Sequence, residues 1–321
     1  MTKPPLIILT GPTAVGKTAL SIALARAVNG EILSADSMQV YRHMDIGSAK
    51  IKPEEMQGVV HHLIDILEPT EEFNVVIFQS RAKQAMQEIL SRGHIPILVG
   101  GTGFYIQSVL YDIDFTENEE NTAYRKELEA LAAQNGNEFL HAMLAEIDPK
   151  AALDIHANNT KRVIRALEFY KLTGKCISEH NAAERQKEAA YASCYFVLND
   201  DRQKLYSRID HRVDQMLSAG LVEEVQKLLE MGCKRTDTAM QGLGYKEILD
   251  YLNGEIDLER AVYLIKRDTR HFAKRQLTWF RRERDVIWVD RQEFSGSEEK
   301  MLSYMLSCFE KRQNEEQEWS L

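Results

Sequence analysis

The chain has 321 residues, 44% hydrophobic and 28% charged, with a formal charge of −9, enough to bury a large core in two domains or in one domain carrying an insertion. No apolar run reaches the roughly 20 residues that span a bilayer, and Met1-Thr2-Lys3-Pro4-Pro5 lacks the pattern of a signal peptide, so a membrane or secreted protein is disfavoured and a cytoplasmic one expected. Cys176, Cys194, Cys233 and Cys308 are far apart and form no C-x-x-C pair, which disfavours a disulfide framework or a zinc site.

Leu6-Ile7-Ile8-Leu9 predicts a first strand. It runs into Gly11-Pro12-Thr13-Ala14-Val15-Gly16-Lys17-Thr18, a complete G-x-x-x-x-G-K-[ST] pattern, and then into a helix-prone stretch over residues 19–27. Strand, glycine-rich turn and helix start therefore follow in the order that makes an anion cradle from free backbone N–H groups. The cradle residues are Gly11, Thr13, Ala14, Val15, Gly16, Lys17 and Thr18. Lys17 brings a positive charge to the outer phosphates, and the Thr18 hydroxyl is the candidate ligand for a phosphate-bound Mg2+.

A second strand, residues 31–35, ends at Asp36-Ser37-Met38-Gln39-Val40-Tyr41. In a parallel sheet this end faces the ligand crevice, beside the phosphate loop. Asp36 is placed either to take a proton or orient metal-bound water, or to cap the following turn. Gln39 can read a base edge, and Tyr41 can stack or pack. Residues 61–67 predict another short strand; His61 and His62, pointing to opposite faces, make a poor chelating pair and are read as structural. Residues 73–91 have helical periodicity.

The run Ile95-Pro96-Ile97-Leu98-Val99 predicts a buried strand opening into Gly100-Gly101-Thr102-Gly103, where the glycines allow close backbone approach to a ligand and Thr102 offers a hydroxyl. That strand ends in glycine, where a motor-type ATPase carries its metal-holding Asp. The expected fold is α/β: a P-loop nucleotide-binding-type parallel sheet flanked by helices, with a helical insertion, used without ordinary ATP hydrolysis. A small-molecule or nucleoside kinase using ATP stays open, because such enzymes can use an acid after the second strand.

Composition changes after Tyr111. An acidic segment, residues 115–121, precedes predicted helices at 124–131, 138–147 and 159–173, with turns at Asp148-Pro149 and Asp154. The predicted layout is a core at 1–115, a helical insertion at 116–193, and core completion with a basic helical part at 194–321. Residues 194–198 return to the sheet. Arg202, Arg208 and Arg212 follow as phosphate candidates, Arg202 preferred for its place just beyond the strand. Further helices are predicted at 217–231, 262–280 and 301–309, a strand at 286–289, and a polar, frayed tail at 310–321. Between residues 260 and 284 there are nine Lys or Arg against only Asp268 and Glu283, a local positive field on an acidic chain. Within it Trp279-Phe280 can stack a base or pack in the core.

The ordered set Gly-Pro-Thr-Ala-Val-Gly-Lys-Thr, Asp-Ser-Met-Gln-Val-Tyr, Gly-Gly-Thr-Gly-Phe-Tyr, Arg162-Val163-Ile164-Arg165-Ala166-Leu167-Glu168, Gly242-Leu243-Gly244-Tyr245-Lys246-Glu247 and Lys274-Arg275-Gln276-Leu277-Thr278-Trp279-Phe280-Arg281 closely resembles the bacterial tRNA dimethylallyltransferase family over residues 5–310. The resemblance implies transfer of a dimethylallyl group from dimethylallyl diphosphate to N6 of adenine 37 in tRNA, with Mg2+ and without an obligate protein partner, by a monomer. It implies that the phosphate loop holds dimethylallyl diphosphate rather than ATP and that Asp36, Thr102 and Lys17 are catalytic, and Arg202, from its place after the strand, is the arginine expected to assist. The tRNA anticodon stem-loop is expected against Asp36, Ser37, Met38, Gln39 and Thr102, and, from the positive charge of the predicted helices, against Arg125, Arg162 and Arg165 of the insertion and Arg267, Lys274 and Arg275 of the basic helix.

Overall fold

A computed structural model describes residues 3–115 and 123–318. The chain divides into two compact units, Met1–Leu110 with Ala189–Leu321, and Tyr111–Glu188. The inserted unit thus begins and ends five residues before the predicted 116–193. Most of the acidic segment at 115–121 lies outside the described residues, as do residues 319–321.

The first unit opens with β1 (Pro5–Thr10), α1 (Lys17–Val28), β2 (Gly30–Ala35), β3 (His61–His62), α2 (Val75–Ser91), β4 (Ile95–Gly100) and α3 (Gly103–Leu110). The inserted unit contains α4 (Ala123–Asn135), α5 (Asn137–Ile147), α6 (Pro149–Asp154), α7 (Thr160–Thr173) and α8 (Ile177–Gln186). The first unit then resumes with β5 (Ala192–Asn199), α9 (Arg202–Ser218), α10 (Leu221–Glu230), α11 (Tyr245–Leu252), α12 (Leu258–Phe280), β6 (Val286–Asp290) and α13 (Glu298–Glu318).

The six strands form one sheet in the order β3-β2-β4-β1-β5-β6, and every pairing is parallel. A parallel sheet is covered by helices on both faces, so its strands read as apolar runs. Leu6 to Leu9 of β1 and Phe196 to Leu198 of β5 are fully buried, with Leu20 and Leu24 of α1 packed over them. Because β4 returns between β2 and β1, the carboxyl ends of these three strands adjoin. Ala35 and Thr10 are both in register with Gly100, so the three chains leave the sheet at one level.

Several boundaries differ from the sequence reading, each for a local reason. The expected strand at 61–67 stops after His62, because Leu63 and Asp65 take positive φ of 64° and 54°. His61 bonds the Val59 carbonyl and His62 the Glu31 carboxylate, which agrees with structural roles. The expected single helix at 217–231 is the end of α9 and all of α10, separated at Gly220 with φ 102°. Helix α13 runs well past Phe309. Met301, Met305 and Phe309 seat it on the core, and Lys311 and Arg312 pair with Glu315 one turn on, a pattern that favours continued helix over fraying.

In the inserted unit, Leu128, Leu140, Leu144, Val163 and Leu167 form a separate core. The turn expected at Asp148 is a helix cap: its Oδ1 accepts from Ala151 N at 2.9 Å and starts α6. Ser178 at the start of α8, a helix absent from the sequence reading, donates its N–H and hydroxyl to the same carboxylate. Burial alone would raise the Asp148 pKa, but these bonds hold it below the usual range.

The burial contrast fixes an expected stability difference. Leu24→Ala, at a fully buried position of α1, should cost about 2–5 kcal/mol. Leu153→Ala, on an α6 side chain 89% exposed, should cost under about 0.5 kcal/mol. Urea unfolding of the two variants beside the parent chain measures both.

Candidate active site

The phosphate loop joins β1 to α1. Gly11 (φ 140°) and Gly16 (φ 99°) occupy backbone regions that favour glycine, and a Cβ at Gly11 would stand 2.6 Å from the Leu198 carbonyl oxygen. Side chains distant in sequence hold the loop from three sides. Gln276 of α12 accepts the Thr13 N–H at 2.9 Å, Arg208 Nε of α9 donates to the Ala14 carbonyl at 3.0 Å, and Arg291 Nη1 donates to the Val15 carbonyl at 3.4 Å. Arg208 is itself fixed by buried Asp200 at 2.5 Å. Burial would raise the Asp200 pKa, but hydrogen bonds from Arg208 and Gln292 hold it below the carboxylate range.

Lys17 opens α1 with its ammonium folded back, donating to the Gly11 and Pro12 carbonyls at 2.9 and 2.8 Å. Burial lowers its pKa to about 7, aided by the charge of Arg212 and opposed by that of Asp36. Arg212 feels the same surroundings: burial lowers its pKa while Asp36 raises it. Two cations and one carboxylate thus act on each other at the mouth of the loop. Thr18, next along, is exposed.

Asp36 leaves the end of β2. Its Oδ1 accepts from Met38 N at 2.8 Å, so it caps its turn and faces Lys17 and Arg212 at once; the two readings of this residue are compatible. The segment behind it is held by the second half of the chain. Buried Glu224 of α10 accepts the N–H groups of Asp45, Ile46 and Gly47 and the Tyr245 hydroxyl, at 2.7–3.0 Å. A Cβ at Gly242 would lie 2.8 Å from Met38 Sδ, and one at Gly47 2.5 Å from the Tyr245 ring. The Gly-Leu-Gly-Tyr-Lys-Glu motif therefore serves as the floor under the Asp36 segment. The Gln39 carboxamide is turned inward to Ser34, Ser48 and Ala49, away from a base-reading role. Tyr41 is fully buried, edge-on to Phe73, and packs rather than stacks on a ligand.

The glycine segment after β4 lies between the other two. Gly100 admits the Ala35 carbonyl oxygen 2.2 Å from where a Cβ would stand, and Gly101 admits Gln276 Nε2 at 2.1 Å. Thr102 donates its N–H to Ala35 O at 3.3 Å, and its carbonyl accepts from Tyr105 and Ile106 at the start of α3. The Trp279 ring covers Gly103 and meets Phe104 edge-on at 6.3 Å. Trp279 is 37% exposed and Phe280 fully buried, so of this pair only Trp279 faces outward. Beneath it Glu283 is driven by burial to a pKa of about 7, against hydrogen bonds from Trp279 and Gln107.

Of the predicted residues, Gly11, Thr13, Ala14, Val15, Gly16, Lys17, Thr18, Asp36, Ser37, Met38 and Thr102 gather on these three adjoining loops. Arg202, at the start of α9, is exposed, its guanidinium 5.1 Å over the Tyr206 ring. Arg212 takes the cationic place beside Lys17, and the i,i+4 spacing of Arg208 and Arg212 was the signal for it. Lys274 and Arg275 are exposed and, with His271, Thr278, Trp279 and Arg282, line a surface groove of ≈ 430 Å³. Arg267 is paired with Asp268 at 2.8 Å. In the inserted unit Arg162 and Arg165 are exposed on α7, whereas Arg125 forms an ion pair with buried Glu168 at 2.6 Å. Gln276 was missed as a site residue, although an amide on the buried stripe Ala273-Gln276-Phe280 is a visible departure from apolar patterning.

A parallel sheet with a glycine-rich loop after its first strand, a carboxylate just past the second and no acid ending β4 defines an α/β protein of the P-loop type. The family model for IPP transferase matches residues 39–283. A tRNA dimethylallyltransferase of Lachnoclostridium phytofermentans is 62% identical over 96% of this chain and 98% of its own. The full-length tRNA isopentenylpyrophosphate transferase of Bacillus halodurans superposes with a TM-score of 0.74 at 45% identity, covering 98% of this chain and all of that one. A eukaryotic dimethylallyltransferase described as acting on tRNA gives 0.78 at 31% identity, over 89% of this chain and 74% of its own. The chain belongs to the tRNA dimethylallyltransferase family, and is an enzyme of the transferase class.

Lys17 makes diphosphate binding depend on pH with a definite sign. Burial brings the Lys17 pKa down to about 7, while a bound anion favours the charged form. Above pH 7 the Lys17 site must therefore take up a proton on binding, and its contribution to affinity should fall as pH rises. Titration calorimetry with inorganic diphosphate in buffers of different ionisation enthalpy should show this uptake in the parent chain. Lys17→Arg, which keeps its charge, should lose the part due to this residue.

Proposed function

We propose that the crevice beyond β2, β4 and β1 transfers the dimethylallyl group of dimethylallyl diphosphate to N6 of adenine 37 in the anticodon loop of tRNA, releasing diphosphate. The observation that carries this reading is the gathering of the Gly11–Thr18 loop, Asp36 and Thr102 at three level strand ends. The ATP-dependent kinase reading is set aside, since the relatives are named as tRNA dimethylallyltransferases, which move an alkyl group and not a phosphoryl group.

In the transfer, N6 attacks the allylic carbon while the carbon–oxygen bond breaks and its electron pair passes to the diphosphate. Charge grows on the leaving group, where Lys17, Arg212 and the loop N–H groups oppose it. Asp36 accepts the N6 proton, which becomes acidic as the new bond forms, so an ordinary carboxylate suffices if well placed. Thr102, at the start of α3, aims the acceptor base. Mg2+ fits the donor set as a partner of the substrate rather than of the protein alone. Among the described residues no group of three or more acidic, His or Cys side chains could hold a metal, and Mg2+ commonly binds through substrate phosphates with few protein ligands. Thr18 Oγ1 would be the protein ligand, and the ion would supply further charge neutralisation.

The basic groove on α12 and the arginines of α7 supply tRNA contact. Within each, Lys274, Arg275, Arg162 and Arg165 are the contact residues. Arg267, paired with Asp268, contributes less, and Arg125 chiefly holds α4 to α7 through Glu168. No helix among the described residues is long and apolar enough to cross a membrane. On this reading the enzyme works in the cytoplasm, as a monomer.

Unmodified tRNA incubated with the protein, Mg2+ and dimethylallyl diphosphate should gain the mass of one five-carbon unit, located by nuclease mapping beside the anticodon. No gain, or phosphate transfer from ATP instead, overturns the assignment. Asp36→Asn should slow single-turnover transfer about 10²–10⁴-fold at saturating substrates; an unchanged rate removes Asp36 as the base. Replacing Lys274 and Arg275 with Ala should weaken tRNA binding and flatten its salt dependence by about 0.7–0.9 in log–log slope per lost phosphate contact, leaving diphosphate affinity unchanged.

A further inference from the structure

Gln276 stands on the inward stripe of α12 with Ala273 and Phe280, 6% exposed. Both ends of its carboxamide are engaged, and with different loops: Oε1 accepts from Thr13 N at 2.9 Å and Nε2 donates to Gly101 O at 3.0 Å. The amide orientation is unambiguous, because a backbone N–H can only donate and a carbonyl only accept. Gly101 is the residue that leaves room for it: a Cβ there would stand 2.1 Å from Nε2 and 3.7 Å from the Gly11 carbonyl oxygen. One planar group thus measures the gap between the loop that cradles the diphosphate and the loop that carries Thr102. Its immediate neighbours Lys274 and Arg275 face outward into the basic groove.

We propose that Gln276 is a positioning residue that locks the phosphate loop and the Gly101-Thr102 loop at one spacing, so that a ligand seated in the first orders the second. The lock acts on the geometry of the transfer step, not on the affinity of either substrate. Gln276→Ala removes both hydrogen bonds and lets the loops move independently. Gln276→Glu keeps the volume and the acceptor for Thr13, but as a carboxylate it sets oxygen against the Gly101 carbonyl. Protonated, the same side chain regains a donor.

Two measurements test the lock, and only one needs turnover, so its failure is separable from failure of the transfer reaction proposed above. Hydrogen exchange with and without inorganic diphosphate should show slowing in both loops, residues 11–16 and 100–103, in the parent chain. In Gln276→Ala only residues 11–16 should slow. Equal slowing of residues 100–103 in both proteins, or none in the parent, overturns the proposal. Single-turnover transfer by Gln276→Ala should fall about 10²-fold, the scale of an ångström-sized misplacement, with diphosphate and tRNA affinities within about threefold of the parent at this precision. A loss confined to affinity overturns it. For Gln276→Glu, the rate relative to the parent at the same pH should recover as pH falls and the carboxyl takes up its proton. A ratio flat with pH refutes the donor role at Gly101.

Discussion

Everything at the site depends on three strand ends lying level. Thr10, Ala35 and Gly100 are neighbours across β1, β2 and β4, and neighbouring strands lie about 4.8 Å apart. A ligand spanning two loops therefore fits without either loop having to reach. A one-residue slip of β4 would turn its side chains to the opposite face and displace Thr102 relative to both partners. The contact that most directly resists it is the bond from Thr10 Oγ1 to Gly100 O at 2.6 Å, a buried side chain tying the two strand ends where the chain leaves the sheet.

Beyond the strands, buried polar groups from the second half of the chain shape the loops of the first. Glu224 gathers three consecutive N–H groups of the 45–47 turn, Asp200 orients Arg208 toward Ala14, and Gln276 spans two loops. Such groups are costly to bury unless fully bonded. Their placement means the folded C-terminal half is needed for the N-terminal loops to take these positions.

Legibility from sequence followed contiguity. The phosphate loop, Asp36 and the glycine segment could be read because each strand, turn and helix start is a single short stretch with its own backbone signature. The helix stripe at Val163, Ile164 and Leu167 was legible for the same reason. Separation hid the rest: Gln276 lies 263 residues from Thr13, and Glu224 lies 179 from Asp45, so no local pattern announces either contact. Choosing Arg202 over Arg212 came from measuring nearness along the chain. A helix carries a residue one turn forward for each 3.6 positions, and the later arginine is the one delivered to Lys17. The Gly-Leu-Gly-Tyr-Lys-Glu motif was recognisable as a string, but its use as a floor beneath Met38 and Gly47 became visible only with the chain folded.

The folded-back lysine also bears on the end of a catalytic cycle. Lys17 donates to the Gly11 and Pro12 carbonyls of its own loop. In the proposed transfer an arriving diphosphate would compete with these two carbonyls for the ammonium, and a departing one would yield it back to them. The loop thus carries an internal competitor for its own ammonium, always at hand and independent of concentration. A product that keeps every phosphate oxygen of the substrate but has lost its hydrocarbon tail would otherwise linger in the cradle. The two carbonyls oppose that retention and return the loop to the state in which the next donor finds it.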